Sequence, residues 1–252
     1  MPVIMDCLKN VAGHNIASYL RKEYGLDDMI KTVDANVLDF VYNGECDYII
    51  VPSTHRSEQP RKTLTVHVPG NWADADMGGM PKTLNISYGS KMKTVLMNIE
   101  RIVKMRGLDD VWDVRMEVDH HGPTLDHPIM FVEIGSTIAE WNDPVAVQVV
   151  GDAIVASLDD DSTYTNVVGY GGGHYAPRFT KHELLEDGPA YAHLCPKYVF
   201  DRIDYSMFKQ AIEKSVEPVE RIEVEKKGLT SGQKKRVREW CELYGIEYRE
   251  IR

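Results

Sequence analysis

Two adjacent histidines stand beside carboxylates in Glu117-Val118-Asp119-His120-His121-Gly122-Pro123-Thr124, at the end of an apolar, strand-like run through Val111, Val114 and Met116. Imidazole titrates near neutrality and is the commonest biological metal ligand. A neighbouring carboxylate can orient the ring, take a proton or complete a metal shell. On a strand, successive side chains point to opposite faces, so the two rings converge only where Gly122 and Pro123 bend the chain. A second stretch of this kind is Gly171-Gly172-Gly173-His174-Tyr175-Ala176-Pro177. It has neither the spacing and lysine of a Walker loop nor a dinucleotide fingerprint. Its glycines let a ligand approach the backbone closely, or offer amides to a phosphate or carbonyl oxygen, with His174 facing that ligand. The chain has no Gly-x-Ser-x-Gly elbow and no His-Glu-x-x-His motif. Any zinc site must therefore collect its ligands from several loops, keeping one position open for water.

Hydrophobic periodicity locates the elements that would carry these residues. Strands are predicted from Val3 to Cys7, Cys46 to Val51, Leu64 to Val68, Ile129 to Ile134, Asn166 to Val168, Ile222 to Val224 and Ile246 to Ile251. Helical spacing predicts helices from Val11 to Gly25, from Ser90 to Met105 with Gly107 as the stop, and from the Asp143-Pro144 cap onward. Further helices are expected from Phe179 to Leu185, Tyr205 to Val216 and Gln233 to Leu243, the last capped by Ser231. Pro52 to Ser57 reads as a polar loop and Met77 to Pro81 as a mobile glycine-rich one. The alternation predicts an α/β fold with a largely parallel sheet, in one domain spanning residues 1–252.

Five of the predicted strands end in polar or glycine-rich segments: His55-Arg56-Ser57, Gly70-Asn71-Trp72, Asp119-His120-His121, Gly135-Ser136-Thr137 and Gly171-Gly172-Gly173-His174. In open parallel sheets the ligand crevice lies at the carboxyl ends of the strands. That rule predicts one site containing His55, His67, His120, His121 and His174, flanked by Glu117, Asp119 and Glu133. His14 has no local polar company and reads as structural.

The net charge of −10 argues against a general nucleic-acid coat. It leaves room for a local patch, and from Lys226 to Arg238 the chain carries Lys226, Lys227, Lys234, Lys235, Arg236 and Arg238 with no acidic residue. On an acidic protein that block is a candidate phosphate-backbone contact; the competing reading is a solvated helix face. The four cysteines are scattered, which suits a reducing cytoplasm and supports no disulfide framework. No stretch has the length of a membrane span or the pattern of a signal peptide. A soluble, cytoplasmic protein is expected.

Taken together, Gly70-Asn71-Trp72 after His67, Asp119-His120-His121-Gly122-Pro123-Thr124, Met130-Phe131-Val132-Glu133-Ile134-Gly135-Ser136 with Glu140-Trp141, and Gly171-Gly172-Gly173-His174-Tyr175-Ala176-Pro177-Arg178 resemble the D-aminoacyl-tRNA deacylases of the archaeal and plant type. The likeness runs from Val3 over nearly the whole chain. Asp119 departs from the family, in which threonine more often precedes the two histidines. The resemblance implies hydrolysis of the ester joining a D-amino acid to tRNA, a Zn2+ cofactor, and a mixed sheet flanked by helices, as in peptidyl-tRNA hydrolases and nucleoside phosphorylases. It implies the acceptor end of D-aminoacyl-tRNA as partner, with no obligate protein partner. His120, His121 and His174 are then expected at the hydrolytic centre and as metal ligands, with Glu117 or Glu133 assisting. His55, His67, Asn71, Tyr175 and Gly171, Gly172 and Gly173 would contact substrate, the glycine amides sharing the oxyanion. Two other readings compete: a zinc-dependent amidase or peptidase acting on a small substrate, and a non-enzymatic RNA-binding module. A basic stripe has no use in the first, and the second fits poorly with motifs rich in His, Glu and Gly.

Overall fold

A computed structural model describes residues 1–57 and 61–252 of the chain. In order, its elements are β1 (Val3–Cys7), α1 (Val11–Tyr24), β2 (Ile30–Val33), β3 (Ile49–Arg56), β4 (Thr63–His67), β5 (Gly70–Asn71), β6 (Thr83–Leu84), α2 (Gly89–Met105), β7 (Asp113–Met116) and β8 (Ile129–Ser136). There follow α3 (Ile138–Trp141), α4 (Pro144–Leu158), β9 (Asn166–Tyr170), α5 (Pro177–Glu183), β10 (Ala190–Cys195), α6 (Tyr205–Glu213), β11 (Arg221–Glu225), α7 (Ser231–Tyr244) and β12 (Glu247–Ile251).

Two larger sheets result, ordered β2-β1-β3-β8-β4-β7 and β10-β9-β11-β12. Every pairing in the second is parallel. In the first, β4 runs antiparallel to β8 and carries β7 with it, so that sheet is mixed. The α/β expectation, with a mixed and largely parallel sheet between helices, holds.

Local chemistry accounts for most boundaries. Asn10 caps α1 by accepting from the Gly13 amide, and Gly25 ends the helix at φ 65°. Gly13 is needed because a Cβ there would stand 2.3 Å from the Pro52 carbonyl oxygen, where α1 crosses β3. Asp143 and Pro144 open α4 as read from the sequence. Thr230, not Ser231, caps α7, in a reciprocal capping box with Gln233. The sixth helix stops at Glu213 rather than Val216, because Lys214 and Val216 exchange backbone hydrogen bonds with Ser87.

One predicted loop is strand, and the other is a loop held in place. Pro52 to Arg56 continues β3, its residues pairing in parallel with Val132 to Ser136, so tertiary pairing overrides a turn-like composition. The glycine-rich segment from Met77 is held by specific bonds. Asn71 Nδ2 donates to the carbonyls of Gly78 and Met80, Gly122 N donates to Met77 O, and Met80 N to Thr124 Oγ1.

The strand period assigns the two faces of the first sheet. Leu64, Val66, Met130, Val132 and Ile134 enter a core with Val95, Leu96 and Ile99 of α2 and Val150 and Ile154 of α4. That core continues into the second sheet through Val167, Tyr191 and Leu194, so α2 couples the sheets. The opposite face buries Ile49, Val51, Ile129 and Phe131 at one end. Beyond them the same alternation presents Ser53, His55, Thr65, His67 and Glu133. Among the described residues, no helix is long and apolar enough to cross a membrane.

A histidine–carboxylate cluster as the candidate active site

The residue after β7 begins the segment that joins the two sheets. Glu117 N donates to Val66 O, Val118 N to His174 O and Asp119 N to Leu194 O. These bonds bring the His120-His121 turn and the loop after β9 onto the polar face of β3, β4 and β8. Because β4 runs against β8, the site does not lie along one row of strand ends. His67 pairs with Phe131 while His55 pairs with Gly135, so the site spans a face of the sheet. A Cβ at Gly135 would stand 2.8 Å from the His55 ring, so the glycine makes room for it.

Glu117 is the centre. Its Oε1 lies 3.1 Å from His55 Nδ1 and its Oε2 lies 2.8 Å from His174 Nε2. Both oxygens are buried, and neither receives a well-aligned N–H. Glu133 Oε2 stands 3.6 Å from His55 Nδ1 and 4.0 Å from His67 Nδ1. Burial opposes charge on both carboxyls. For Glu117 the contacts with His174 and His55 outweigh it and hold the pKa well below the usual carboxylate range. For Glu133 burial, reinforced by the Glu117 charge, prevails and raises the pKa. The two carboxyls are thus pushed in opposite directions by the same pocket.

The histidines divide similarly. Burial disfavours charge on His55, but Glu117 and Glu133 overcome it and push its pKa up to about 11. As a cation it donates from both ring nitrogens, and its Nε2 meets the Tyr175 hydroxyl at 2.8 Å. Burial lowers His120 to about 4 against the opposing Glu117 charge, and burial with the neighbouring His120 ring pushes His67 and His121 well below the usual value. These three remain neutral. His120 Nδ1 lies 2.8 Å from Val118 O and His121 Nδ1 2.5 Å from Gly122 O. A carbonyl can only accept, so both rings keep the proton on Nδ1 and carry a lone pair on Nε2. His121 also holds φ 49°, a conformation costly for a side-chain-bearing residue and found most often at functional sites.

Ligand atoms of His67, His120 and His121 lie within 4.8 Å of one another, as do those of His55, Glu117 and His174, and of His67, Glu117 and Glu133. The expected metal trio is thus divided, His120 and His121 grouping with His67, and His174 with His55 and Glu117. His67 Nε2 and His121 Nε2 are 3.2 Å apart. Two imidazole nitrogens on a tetrahedral zinc ion, with bonds of about 2.0–2.1 Å, stand about 3.3–3.4 Å apart. Converging neutral imidazoles beside a buried anion short of aligned donors form a donor set that fits such a cation.

Cavities of about 430 Å³ and 280 Å³ flank the cluster and share His120, His121 and Met77. Ser53, Asn10, His55 and His174 line the larger; Asn71, Trp72 and Tyr198 line the smaller.

Other predicted residues fall elsewhere. Asp119 turns away from the cluster: its carboxylate accepts from His193 Nδ1 at 2.7 Å and from the Leu194 amide at 2.8 Å. Sequence reading missed His193, whose signal is a lone imidazole inside the apolar strand Ala190–Cys195. The Gly171 amide already donates to Cys195 O at 2.9 Å and so is not an oxyanion donor. On α7, Lys234 and Arg238 pair with Glu250, Lys235 with Glu239 and Arg236 with Asp201. Lys226 and Lys227 lie before that helix and line a separate cleft. The Asn71 amide is spent on the 77–80 segment, though the residue lines the smaller cavity.

Comparison with known proteins adds identity to this geometry. The family model described as D-aminoacyl-tRNA deacylase matches residues 42–249. The chain is 41% identical over 204 residues to the D-aminoacyl-tRNA deacylase of Methanosarcina acetivorans, covering 80% of this chain and 66% of that one. With the enzyme of that name from Ignicoccus hospitalis the identity is 36% over 236 residues, 94% of each chain. With that of Thermococcus kodakarensis it is 38% over 277 residues, covering 98% and 99%. The chain therefore spans about two thirds of the Methanosarcina relative and nearly all of the other two. The crystal structure of AF0625, a conserved protein of unknown function, superposes with a TM-score of 0.89 at 28% identity, over 99% of this chain and 95% of that one.

Proposed function

The chain belongs to the D-aminoacyl-tRNA deacylase family, and on that premise we propose that its histidine–carboxylate cluster hydrolyses the ester between a D-amino acid and the terminal ribose of tRNA, in the cytoplasm. The observation that carries this reading is the buried Glu117 carboxylate, held between His55 at 3.1 Å and His174 at 2.8 Å. An aminoacyl ester is already activated, so the site must deprotonate a water and stabilise one developing oxyanion.

His174 is partly open to the larger cavity, and its Nε2 faces Glu117. Its lone pair then lies on Nδ1, which takes the proton of the attacking water, while anionic Glu117 stabilises the imidazolium; that imidazolium returns the proton to the ribose oxygen as the ester C–O bond breaks. Cationic His55 donates to the Tyr175 oxygen, which leaves the Tyr175 hydroxyl proton free for the ester carbonyl oxygen. One such donor contributes about 3 kcal/mol to lowering the barrier. Zinc would be held by His67, His120 and His121, where it would supply Lewis acidity toward a carbonyl or water oxygen. Glu133 Oε2 stands 4.0 Å from His67 Nδ1, while His67 Nε2 faces His121.

The test is release of D-tyrosine from D-tyrosyl-tRNA beside L-tyrosine from the L-ester, with zinc supplied and after chelation. Equal rates on the two enantiomers, or no hydrolysis, would sink the reading. Full activity after chelation would remove zinc and leave the acid–base roles alone. Loss of cleavage when the substrate ends in 2′-deoxyadenosine would move the assistance to the ribose hydroxyl.

A further inference from the structure

The triple-glycine turn contains one glycine that the fold does not explain. Gly171 and Gly172 hold φ 127° and 75°, and a Cβ on either would crowd Glu225, with Gly228 also close to Gly171. Gly173 does not take positive φ, and a Cβ built on it meets nothing within 4 Å. It is exposed and immediately precedes His174. A glycine that neither conformation nor packing requires leaves room for something outside the chain to approach closely.

Several basic residues gather around this turn, with Glu225 as the carboxylate against it. Lys197 N donates to Gly172 O at 3.0 Å. Lys226 and Lys227 lead into Gly228, whose Cβ position lies 2.7 Å from the Gly172 amide nitrogen. Arg178, four residues past His174, lines with Lys226 and Lys227 a cleft of about 310 Å³. Glu225 lies in that cleft, 3.9 Å from Arg178 Nε. Among the described residues, no carboxylate comes within ion-pair distance of the Lys197, Lys226 or Lys227 ammonium groups. All four basic residues of α7, by contrast, are engaged by Glu250, Glu239 or Asp201. Lone cations are free to displace counterions from a phosphate backbone; paired ones must first give up their partners.

We infer that this turn, and not the face of α7, carries the unpaired 3′ end of tRNA. Lys197, Lys226 and Lys227 hold backbone phosphates, with Arg178, itself paired to Glu225, beside them. Gly173 lets the sugar–phosphate chain lie against the protein, and the ester is delivered to His174 as the next residue. This assignment rests on the deacylase reading for its substrate.

Binding of uncharged tRNA is measured by filter retention against salt concentration, for the wild type and for the variant carrying Lys226→Gln and Lys227→Gln. The slope of log affinity against log salt falls by about 0.7 for each single-strand phosphate no longer neutralised, which is about fivefold in affinity at 0.1 M salt. Separately, Gly173→Val raises the KM for D-tyrosyl-tRNA relative to that for D-tyrosyl-adenosine, which lacks the phosphates. An unchanged slope in the double variant, or an unchanged KM ratio in Gly173→Val, overturns the assignment. A wild type that binds tRNA with the expected slope but hydrolyses neither ester defeats the deacylase reading and leaves the binding surface standing.

Discussion

Glu183 offers the prediction with the most definite magnitude, because its energetics follow from burial and one missing partner. The side chain is fully buried at the end of α5, with Oε2 unpartnered and Oε1 accepting only weakly from Tyr191 N at 3.4 Å. The nearby Lys93 ammonium is occupied by the carbonyls of Leu185 and Gly188 and by the Tyr164 ring. Burial pushes the Glu183 pKa up from 4.5 to about 8. A carboxyl whose pKa is raised on folding contributes stability that is fully present below the unfolded value and is lost as pH rises toward the folded one. At about 1.4 kcal/mol per unit, the loss between pH 5 and pH 8 is about 3–4 kcal/mol. Glu183→Gln cannot ionise, so it removes this slope. It also buries an amide whose unmet hydrogen bonds cost about 1–3 kcal/mol at every pH. The variant is therefore less stable than the wild type at pH 5 and comparable or more stable at pH 8. Urea unfolding at several pH values reads this directly. Parallel pH dependences for the two proteins would refute the reasoning and mean that Glu183 is ionised in the fold.

Glu117→Gln keeps the shape but removes the charge that supports the His174 imidazolium, and should lower kcat at least about a hundredfold in single-turnover deacylation with the far-ultraviolet spectrum unchanged. Tyr175→Phe deletes the hydroxyl donor and should cost about a hundredfold in kcat with little change in KM, a split that steady-state kinetics resolves. Asp119→Ala leaves His193 Nδ1 and the Leu194 amide unsatisfied and should destabilise by about 2–6 kcal/mol in urea titration, at one to three per donor. His121→Ala should lower zinc affinity measured by competition with a chelating dye, whereas Asp119→Asn should leave it close to wild type, because Asp119 faces away from the imidazole group.

Periodicity and caps determined much of this protein on their own. Asp143-Pro144, Gly25 and Gly107 mark helix ends through backbone constraints carried by the residues themselves, and the structure keeps them. The chemistry was legible for a similar reason. His55, His67, His120, His121, His174, Glu117 and Glu133 are polar groups set against apolar strands, where a residue without a task is costly to bury. What the sequence could not contain is the direction of β4. Its reversal against β8 moves the site from a row of strand ends to a sheet face, and places His67 beside His121 rather than beside His174. Side-chain partnership was equally hidden. Asp119 sits one residue from His120 yet belongs to His193, because the segment between the sheets turns alternate residues toward different neighbours. The same holds for the basic block: charge on α7 is visible in the chain, but neutralisation by Glu250, Glu239 and Asp201 depends on which surfaces the fold brings together. Local propensity is a property of short segments, whereas ion pairing and ligand convergence depend on contacts between residues far apart in sequence, and only tertiary packing sets those.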